Sequence, residues 1–517
     1  MIAREIGVGV AIAVVSCAAA GCVEQPVLPV TRADIADAYL RFERTLVEHP
    51  PETARLASLN RGFDEASTAF FAGQGARAVE RINALIDSLL PEAERTAERA
   101  VAWATKLRVE PAVIRVENPR APLIEAGLLY RPDRVESGTF VFQVELRDWV
   151  DRLVAGTTIE LCLDAVQAAP LRVNLELPEV LAPGAYRLVL VGGSGRSYPR
   201  ARLYASERSL AAVRAENAQA LERLSTDSQT LRQAIAICRA RNALLTDEPS
   251  EESSAAFLAD PVQLAAELEE EIAALKAGRN PYAARPGEIW RVFGERSTPL
   301  RLYVPARLVA AEGSGVPLVI AFHGAGGDEQ MFLYGYGAGR IRALAEERGF
   351  ILACPLTYPF LTSPGLFDEL LSALREDYNI DGDRIYALGH SLGAVATGII
   401  AQREGTPLRA AACLAGGRGW STAAQSAPVL VLGGQIDPLS PIGRLRADAE
   451  RGMARGLPVE FREIDDYGHT LLVGRVLEQA IDWMFAQSRV AASSRAAPPE
   501  TAPAAGSDQI SPPSAPR

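Results

Sequence analysis

Arg384-Ile385-Tyr386-Ala387-Leu388-Gly389-His390-Ser391-Leu392-Gly393 reads as an apolar strand that runs straight into a G-x-S-x-G turn. The stretch behind it, Ala394 to Ala401, is rich in alanine and can open a helix. Strand, sharp turn and helix form the setting in which a serine hydroxyl is pushed clear of the backbone, and the two glycines let turn and helix close up. A bare G-x-S-x-G arises by chance. The flanking elements make Ser391 a candidate nucleophile, the alternative being a glycine-rich turn with a solvent-facing serine.

A serine nucleophile needs a general base, and the base needs a carboxylate to orient it. Downstream, Val429–Leu432 reads as a strand followed by Gly433-Gly434-Gln435-Ile436-Asp437, a loop acid. Val459–Ile464 reads as the next strand and leads into Asp465-Asp466-Tyr467-Gly468-His469. The order Ser391, Asp437, His469 is the chain order of a hydrolase triad. Asp465 and Asp466 compete with Asp437 by proximity to His469. Position after the preceding strand favours Asp437, and Pro438 and Pro441 stiffen its loop. Upstream, Leu318–Phe322 is an apolar strand ending in His323-Gly324-Ala325-Gly326-Gly327-Asp328. Such a loop can aim a backbone N–H at a developing oxyanion, with the N–H of Leu392 as second donor. Only four histidines are present. His323 reads as a structural residue of its loop. His390 points away from the nucleophile's side chain, and His49, beside Pro50-Pro51, reads as a loop residue.

From about Glu288 to Gln487 strands alternate with helices. Leu318–Phe322, Phe350–Cys354, Arg384–Leu388, Ala410–Leu414, Val429–Leu432 and Val459–Ile464 are the expected strands, with helices over Gln330–Arg348 and Gly365–Asn379. This predicts an α/β fold: a mostly parallel sheet covered by helices on both faces. The residues quoted so far resemble the α/β-hydrolase superfamily. The short FHGAGGDE loop and the DRIYALGHSLGA segment resemble exported poly(3-hydroxybutyrate) depolymerase/feruloyl-esterase-like and dienelactone-hydrolase-like serine esterases. His390 and Leu392 beside Ser391 are nearer to general carboxylesterases. The resemblance covers roughly residues 288–487. It implies ester hydrolysis through an acyl-enzyme with no cofactor and no metal. Carried over, Ser391 is the nucleophile, His469 the base, Asp437 the acid, and Ala325 and Leu392 the oxyanion N–H donors. The expected substrate is a small-molecule or polymeric ester. The alternatives are a serine peptidase of the prolyl-oligopeptidase type, for which no propeller-like repeat is visible, and a surface binding protein with an inactive hydrolase fold, against which the complete triad argues.

The full chain of 517 residues allows about three domains. Apolar residues make up 48% and charged residues 23%, which excludes a wholly disordered chain. A net charge of −11 with no basic stripe argues against nucleic-acid binding. Lys106 and Lys276 are the only lysines, which excludes a Schiff-base lysine or a Ser-Lys dyad in the last 240 or so residues. Residues 1–22 have the layout of an export signal: Arg4, the apolar run Ile6–Val15, then small residues ending in Ala19-Ala20-Gly21-Cys22. That end resembles a bacterial lipobox, which implies acylation of Cys22, attachment to the membrane by a lipid and residence in the cell envelope; ordinary cleavage near Ala20 would give a soluble periplasmic or secreted protein. Residues 23–106 read as helical, 107–206 as a β-rich, sandwich-like module and 207–284 as helical again. The hydrolase region spans 285–488, and 489–517 is an Ala/Pro/Ser-rich tail expected to be disordered. Cys162, Cys238, Cys354 and Cys413 form no C-x-x-C pair and read as buried free thiols in apolar strands.

Overall fold

The computed structural model describes residues 28–487, apart from 134, 136, 310–314, 364, 418–419 and 421–425. The leader with Cys22 and the tail beyond 489 lie outside the described residues. The chain divides into two compact units, the first ending at Pro281 and the second beginning at Tyr282.

The first unit opens with helices Arg32–Glu48, Thr53–Phe71, Gly75–Leu89 and Ala97–Ala104. Asp34 caps the first of them from within, accepting the Thr31 N–H at 2.8 Å. Its carboxylate also receives Lys106 Nζ at 2.8 Å, so the helix start is pinned to the first strand. Eight strands follow: β1 (Thr105–Glu110), β2 (Val113–Arg115), β3 (Leu123–Leu128), β4 (Thr139–Arg147), β5 (Leu153–Cys162), β6 (Leu171–Asn174), β7 (Gly184–Val191) and β8 (Ser197–Ser206). They form a three-stranded sheet, β1-β3-β6, and a five-stranded sheet, β2-β8-β7-β4-β5. Leu107, Ile124 and Ala126 from the first and Phe142, Val144, Leu146, Leu188 and Leu190 from the second share one core. The pairing of two sheets through their apolar faces is sandwich-like. β1 and β2 lie close in sequence yet belong to different sheets: between them Pro111 has no N–H to offer a ladder. Helices Leu210–Glu222, Gln229–Asn242 and Pro261–Lys276 complete the unit. Leu221 belongs to the first of these helices and Leu231, Ile235 and Cys238 to the second, which Ser228 caps by accepting the Leu231 N–H. Asp260 caps the last, accepting from Val262 and Gln263 N–H.

The second unit is built on eight strands: β9 (Gly287–Phe293), β10 (Thr298–Val304), β11 (Val316–Phe322), β12 (Ile351–Pro355), β13 (Ile380–His390), β14 (Ala410–Leu414), β15 (Val429–Gly434) and β16 (Val459–Ile464). Their spatial order is β16-β15-β14-β13-β11-β12-β10-β9. From β12 to β16 all pairings are parallel, and β10 is antiparallel to both neighbours. The central strands are buried throughout, as a sheet covered on both sides requires. Val319, Ala321, Leu388, Ala412 and Leu432 share a core with Ile341, Leu344, Val473, Val476 and Leu477, from helices Arg340–Arg348 and Leu472–Ala486. The alternate residues of the strands face the other way. There Cys413 Sγ lies 3.4 Å from the Ala394 carbonyl of helix Leu392–Ala401, and Gly433 faces Ile442 and Leu445 of helix Ile442–Ala454. This is the α/β-hydrolase fold.

One expected element is different in kind. The helix foreseen over Gln330–Arg348 is helical in the ordinary sense only from Arg340. Before it come a single π-type turn, Met331–Gly335, and a tight turn in which Gly337, Ala338 and Gly339 have φ of 59°, 54° and 76°. Left-handed backbone at three successive residues cannot be continued as a right-handed helix. Gly337 also lies against the backbone of Gly474, where a Cβ would come within 3.0 Å of the Gly474 Cα.

The parallel register aligns the strand ends. Phe322 pairs with Gly389, His390 with Leu414, Leu414 with Leu432 and Gly434 with Ile464. The loops after β11, β13, β15 and β16 thus leave one edge of the sheet together, the carboxyl edge at which open α/β sheets bind ligands.

Candidate active site

Ser391 stands between β13 and helix Leu392–Ala401 with φ 53° and ψ −113°. A non-glycine residue held there stores about 1–3 kcal/mol of strain and persists only where its surroundings over-determine it. They do so here. The Ser391 N–H donates to the Leu414 carbonyl at 2.9 Å. Gly393 packs so closely on the Phe322 and His323 carbonyls that a Cβ would collide with both. The elbow and the loop after β11 are therefore in backbone contact, which only glycine permits.

His469 Nδ1 lies 2.8 Å from Asp437 Oδ2, and both residues are buried. The other carboxylate oxygen, Oδ1, accepts the N–H groups of Leu439 and Ser440, each at 2.8 Å. An ionised carboxylate only accepts, so Nδ1 carries the proton and His469 Nε2 keeps its lone pair. Asp465 is exposed, and Asp466 turns back on Gln435, its N–H donating to the side-chain carbonyl. The carboxylate hydrogen-bonded to His469 Nδ1 is that of Asp437.

His323 receives the Thr357 N–H on Nε2 at 3.0 Å, so its proton is on Nδ1, which donates to the Gly324 carbonyl at 2.8 Å. With both ring nitrogens spent on main chain, it holds the loop. The Gly326 N–H donates to the Tyr358 hydroxyl at 2.8 Å and the Gly327 N–H to the Gly324 carbonyl at 3.2 Å. The N–H of Ala325 has no acceptor among the described residues, and neither has that of Leu392 at the start of its helix. Two unspent main-chain donors, on the two loops that meet at Gly393, can serve one anionic oxygen.

His390 is also fully occupied. Nε2 lies 3.0 Å from the His469 carbonyl and Nδ1 lies 2.7 Å from the Tyr336 hydroxyl. A carbonyl can only accept, so Nε2 carries the proton and Tyr336 donates to Nδ1. Burial, reinforced by the neighbouring His469, holds His390 well below the ordinary histidine range, and the ring is neutral. His49 is remote from this arrangement in sequence and ends the first helix of the other unit. Sequence reading does not single out Tyr336, Thr357 or Tyr358. No motif marks them, and they matter only through the strand ends that bring them here.

The four free cysteines differ from expectation in part. Cys354 and Cys413 are buried in strands, with burial raising Cys413 to about 12. Cys238 is buried in a helix and Cys162 is exposed. Among the described residues, no helix is long and apolar enough to cross a membrane.

No protein-family model matches the chain. No curated protein matches it. Similar solved structures include an S-formylglutathione hydrolase from Staphylococcus aureus, 16% identical, covering 39% of this chain and 98% of its own, with a TM-score of 0.33. A feruloyl esterase module from Clostridium thermocellum is 14% identical over 40% of this chain and 90% of its own, with a TM-score of 0.33. An esterase from the planctomycete Thermogutta terrifontis, solved with butyrate, is 15% identical over 39% of this chain and 94% of its own, with a TM-score of 0.32.

Proposed function

We propose that this protein is a serine hydrolase that cleaves carboxylic esters through an acyl-enzyme. One observation carries the reading. A strained, backbone-clamped Ser391 stands on the same sheet edge as a His469–Asp437 pair whose protonation pattern puts the proton on Nδ1 and the lone pair on Nε2. In the proposed reaction Ser391 Oγ attacks the ester carbonyl as His469 Nε2 takes its proton. Asp437 stabilises the imidazolium in the Nδ1–H form it already holds. The carbonyl oxygen becomes an oxyanion facing the N–H groups of Ala325 and Leu392, which need no reorganisation to receive it. The intermediate collapses, His469 returns the proton to the leaving alkoxide, and water repeats the sequence on the acyl-serine.

The accompanying proposal for location is export with lipid attachment at Cys22. It rests on the sequence of residues 1–22 alone; Cys22→Ser would release the protein from the membrane fraction or leave its precursor uncut.

The test of the reaction is fluorophosphonate labelling together with turnover of p-nitrophenyl esters and aminoacyl p-nitroanilides. Wild type is expected to label and to turn over the esters. Ser391→Ala loses labelling and about 10⁶ in kcat while remaining folded. A folded Ser391→Ala within tenfold of wild type rejects the mechanism. Preference for the anilides moves the reading to a peptidase.

A further inference from the structure

We propose that His390 and Tyr336 form a positioning pair for His469: the elbow that carries the nucleophile also fixes the base, through the base's own carbonyl. The inference rests on the roles of Ser391 and His469 in the proposed hydrolysis.

His390 is the last residue of β13 and the immediate neighbour of Ser391. Its Nε2–H donates to the His469 carbonyl at 3.0 Å, and its ring packs against the His469 ring with centroids 4.8 Å apart. Asp437 grips the other side of His469 at Nδ1. The base is thus held at its ring by the loop after β15 and at its main chain by the elbow. The loop after β16 is tied to the loop after β15 by the Ile436 N–H, which donates to the Tyr467 carbonyl at 3.1 Å, whereas the His390 contact ties the base to the elbow, and losing it lets His469 shift relative to Ser391. A displacement of about 1 Å at the reacting atoms can cost a factor of about 10² in rate.

The hold works only in one tautomer. With the proton on Nδ1, Nε2 would turn a lone pair toward the His469 carbonyl and repel it. Tyr336 prevents this by donating to Nδ1 at 2.7 Å, with its ring edge-on to His390 at 5.2 Å. The broken helix acquires a purpose here. The left-handed turn at Gly337–Gly339 follows directly on Tyr336, and the hydroxyl reaches a histidine buried at the end of the central strand. Tyr336 acts on His469 only through His390, and neither residue touches the reacting atoms in this scheme.

Four variants of the full chain test it: His390→Leu, His390→Gln, Tyr336→Phe and the double change Tyr336→Phe/His390→Leu. Each is measured for kcat and KM on p-nitrophenyl butyrate, with fluorophosphonate labelling to count active sites and a melting curve to establish folding. His390→Leu is expected to lower kcat about 10²-fold with KM within about threefold, as loss of alignment rather than of binding requires. His390→Gln recovers at least a third of wild-type kcat, because its amide N–H can donate to the same carbonyl. Tyr336→Phe lowers kcat about tenfold alone and not at all on top of His390→Leu, since residues acting through one another are not additive. If His390→Leu does not fold, Tyr336→Phe alone and on top of His390→Gln decides the matter: a kcat loss confined to the His390 background supports the pair, and equal losses in both overturn it. Unchanged kcat in folded His390→Leu, or additive losses in the double variant, overturns the inference while leaving the catalytic reading intact. A wild type that neither labels nor hydrolyses esters overturns both.

Discussion

The sharpest prediction concerns Asp437→Asn, because the structure dictates which way the amide must face. In the native site Oδ1 takes two main-chain N–H groups, from Leu439 and Ser440, and Oδ2 takes the proton of His469 Nδ1. An asparagine has one acceptor oxygen and one donor nitrogen for these two places. With its oxygen at the Oδ1 position it keeps both main-chain hydrogen bonds but presents NH₂ to Nδ1. The imidazole must then accept there and carry its proton on Nε2, the atom that has to receive the serine proton. With the amide flipped, His469 keeps the correct tautomer, but two buried N–H groups face an NH₂. Each buried donor left unsatisfied costs about 1–3 kcal/mol, so the flip is disfavoured by roughly 2–6 kcal/mol. The site therefore rests in the wrong tautomer, and kcat falls by roughly 10⁴. Because one oxygen is kept and the other is replaced by an isosteric NH₂, folding is preserved. The assay is kcat on one activated ester, normalised by fluorophosphonate-titrated sites, beside Asp465→Asn and Asp466→Asn as controls expected to lose about tenfold or less. Asp437→Asn within tenfold of wild type, with a thousandfold loss in either control, would refute the reasoning and move the acid to the histidine's own loop.

Tyr358→Phe removes the acceptor for the Gly326 N–H while keeping the ring that packs on His323. It should lower kcat about tenfold with little change in KM, less than the 10²–10³ expected for loss of an oxyanion donor itself; an unchanged kcat means the loop needs no such support. Asp377→Ala strands Arg291, a fully buried guanidinium whose Nη1 hydrogen-bonds Asp377 and whose Nε and Nη2 have no hydrogen-bond partner among the described residues. Breaking a buried pair from one side costs about 3–5 kcal/mol, so the melting transition of the second unit should drop by about 6–20 °C. Arg291→Met added to it should restore most of the loss, and a shift under 2 °C for the single change would show the pair to be inert.

The placement of the candidate site is legible in the sequence because its residues are separated by elements with clear periods. Leu318–Phe322, Arg384–Leu388, Val429–Leu432 and Val459–Ile464 read as strands, and in this fold class the loops after such strands share one sheet edge. The hairpin of β9 and β10 is not legible: β10 alternates regularly, but in β9 Arg291 stands at a fully buried place, and a charged residue there hides an inward-facing position. β3 escapes for the opposite reason: Leu123–Leu128 is buried at nearly every position, so it shows no period of two. The helix expected over Gln330–Arg348 is too long because glycines at 335, 337 and 339 pass as tolerated helix residues, whereas the last two belong to a left-handed turn. His390 sits in the turn beside Ser391, and that placement alone argues against its being the base. Its hold on His469 is out of reach of the sequence, because the residue it contacts is 79 positions away and the contact is to a carbonyl.

Main-chain contacts of this kind recur throughout the site. Asp437 is fixed by the N–H groups of Leu439 and Ser440, Ser391 by the Leu414 carbonyl, His469 by its own carbonyl, and the loop after β11 by the Thr357 N–H and the Gly324 carbonyl. In each case one partner is a main-chain group, which carries no residue-specific signature. A substitution at Leu439, Ser440 or Leu414 leaves these bonds in place as long as the loop keeps its course, whereas a change in loop length removes them whatever residues are used. Side-chain motifs therefore report where the candidate site lies, while its precision is set by strand ends and loop lengths. His390 is the exception that joins the two levels. It is a side chain within the motif, and its task is to hold a main-chain carbonyl on another loop. This is why the strongest effect on kcat predicted outside Ser391, Asp437 and His469 falls on His390, whose tautomer Tyr336 fixes.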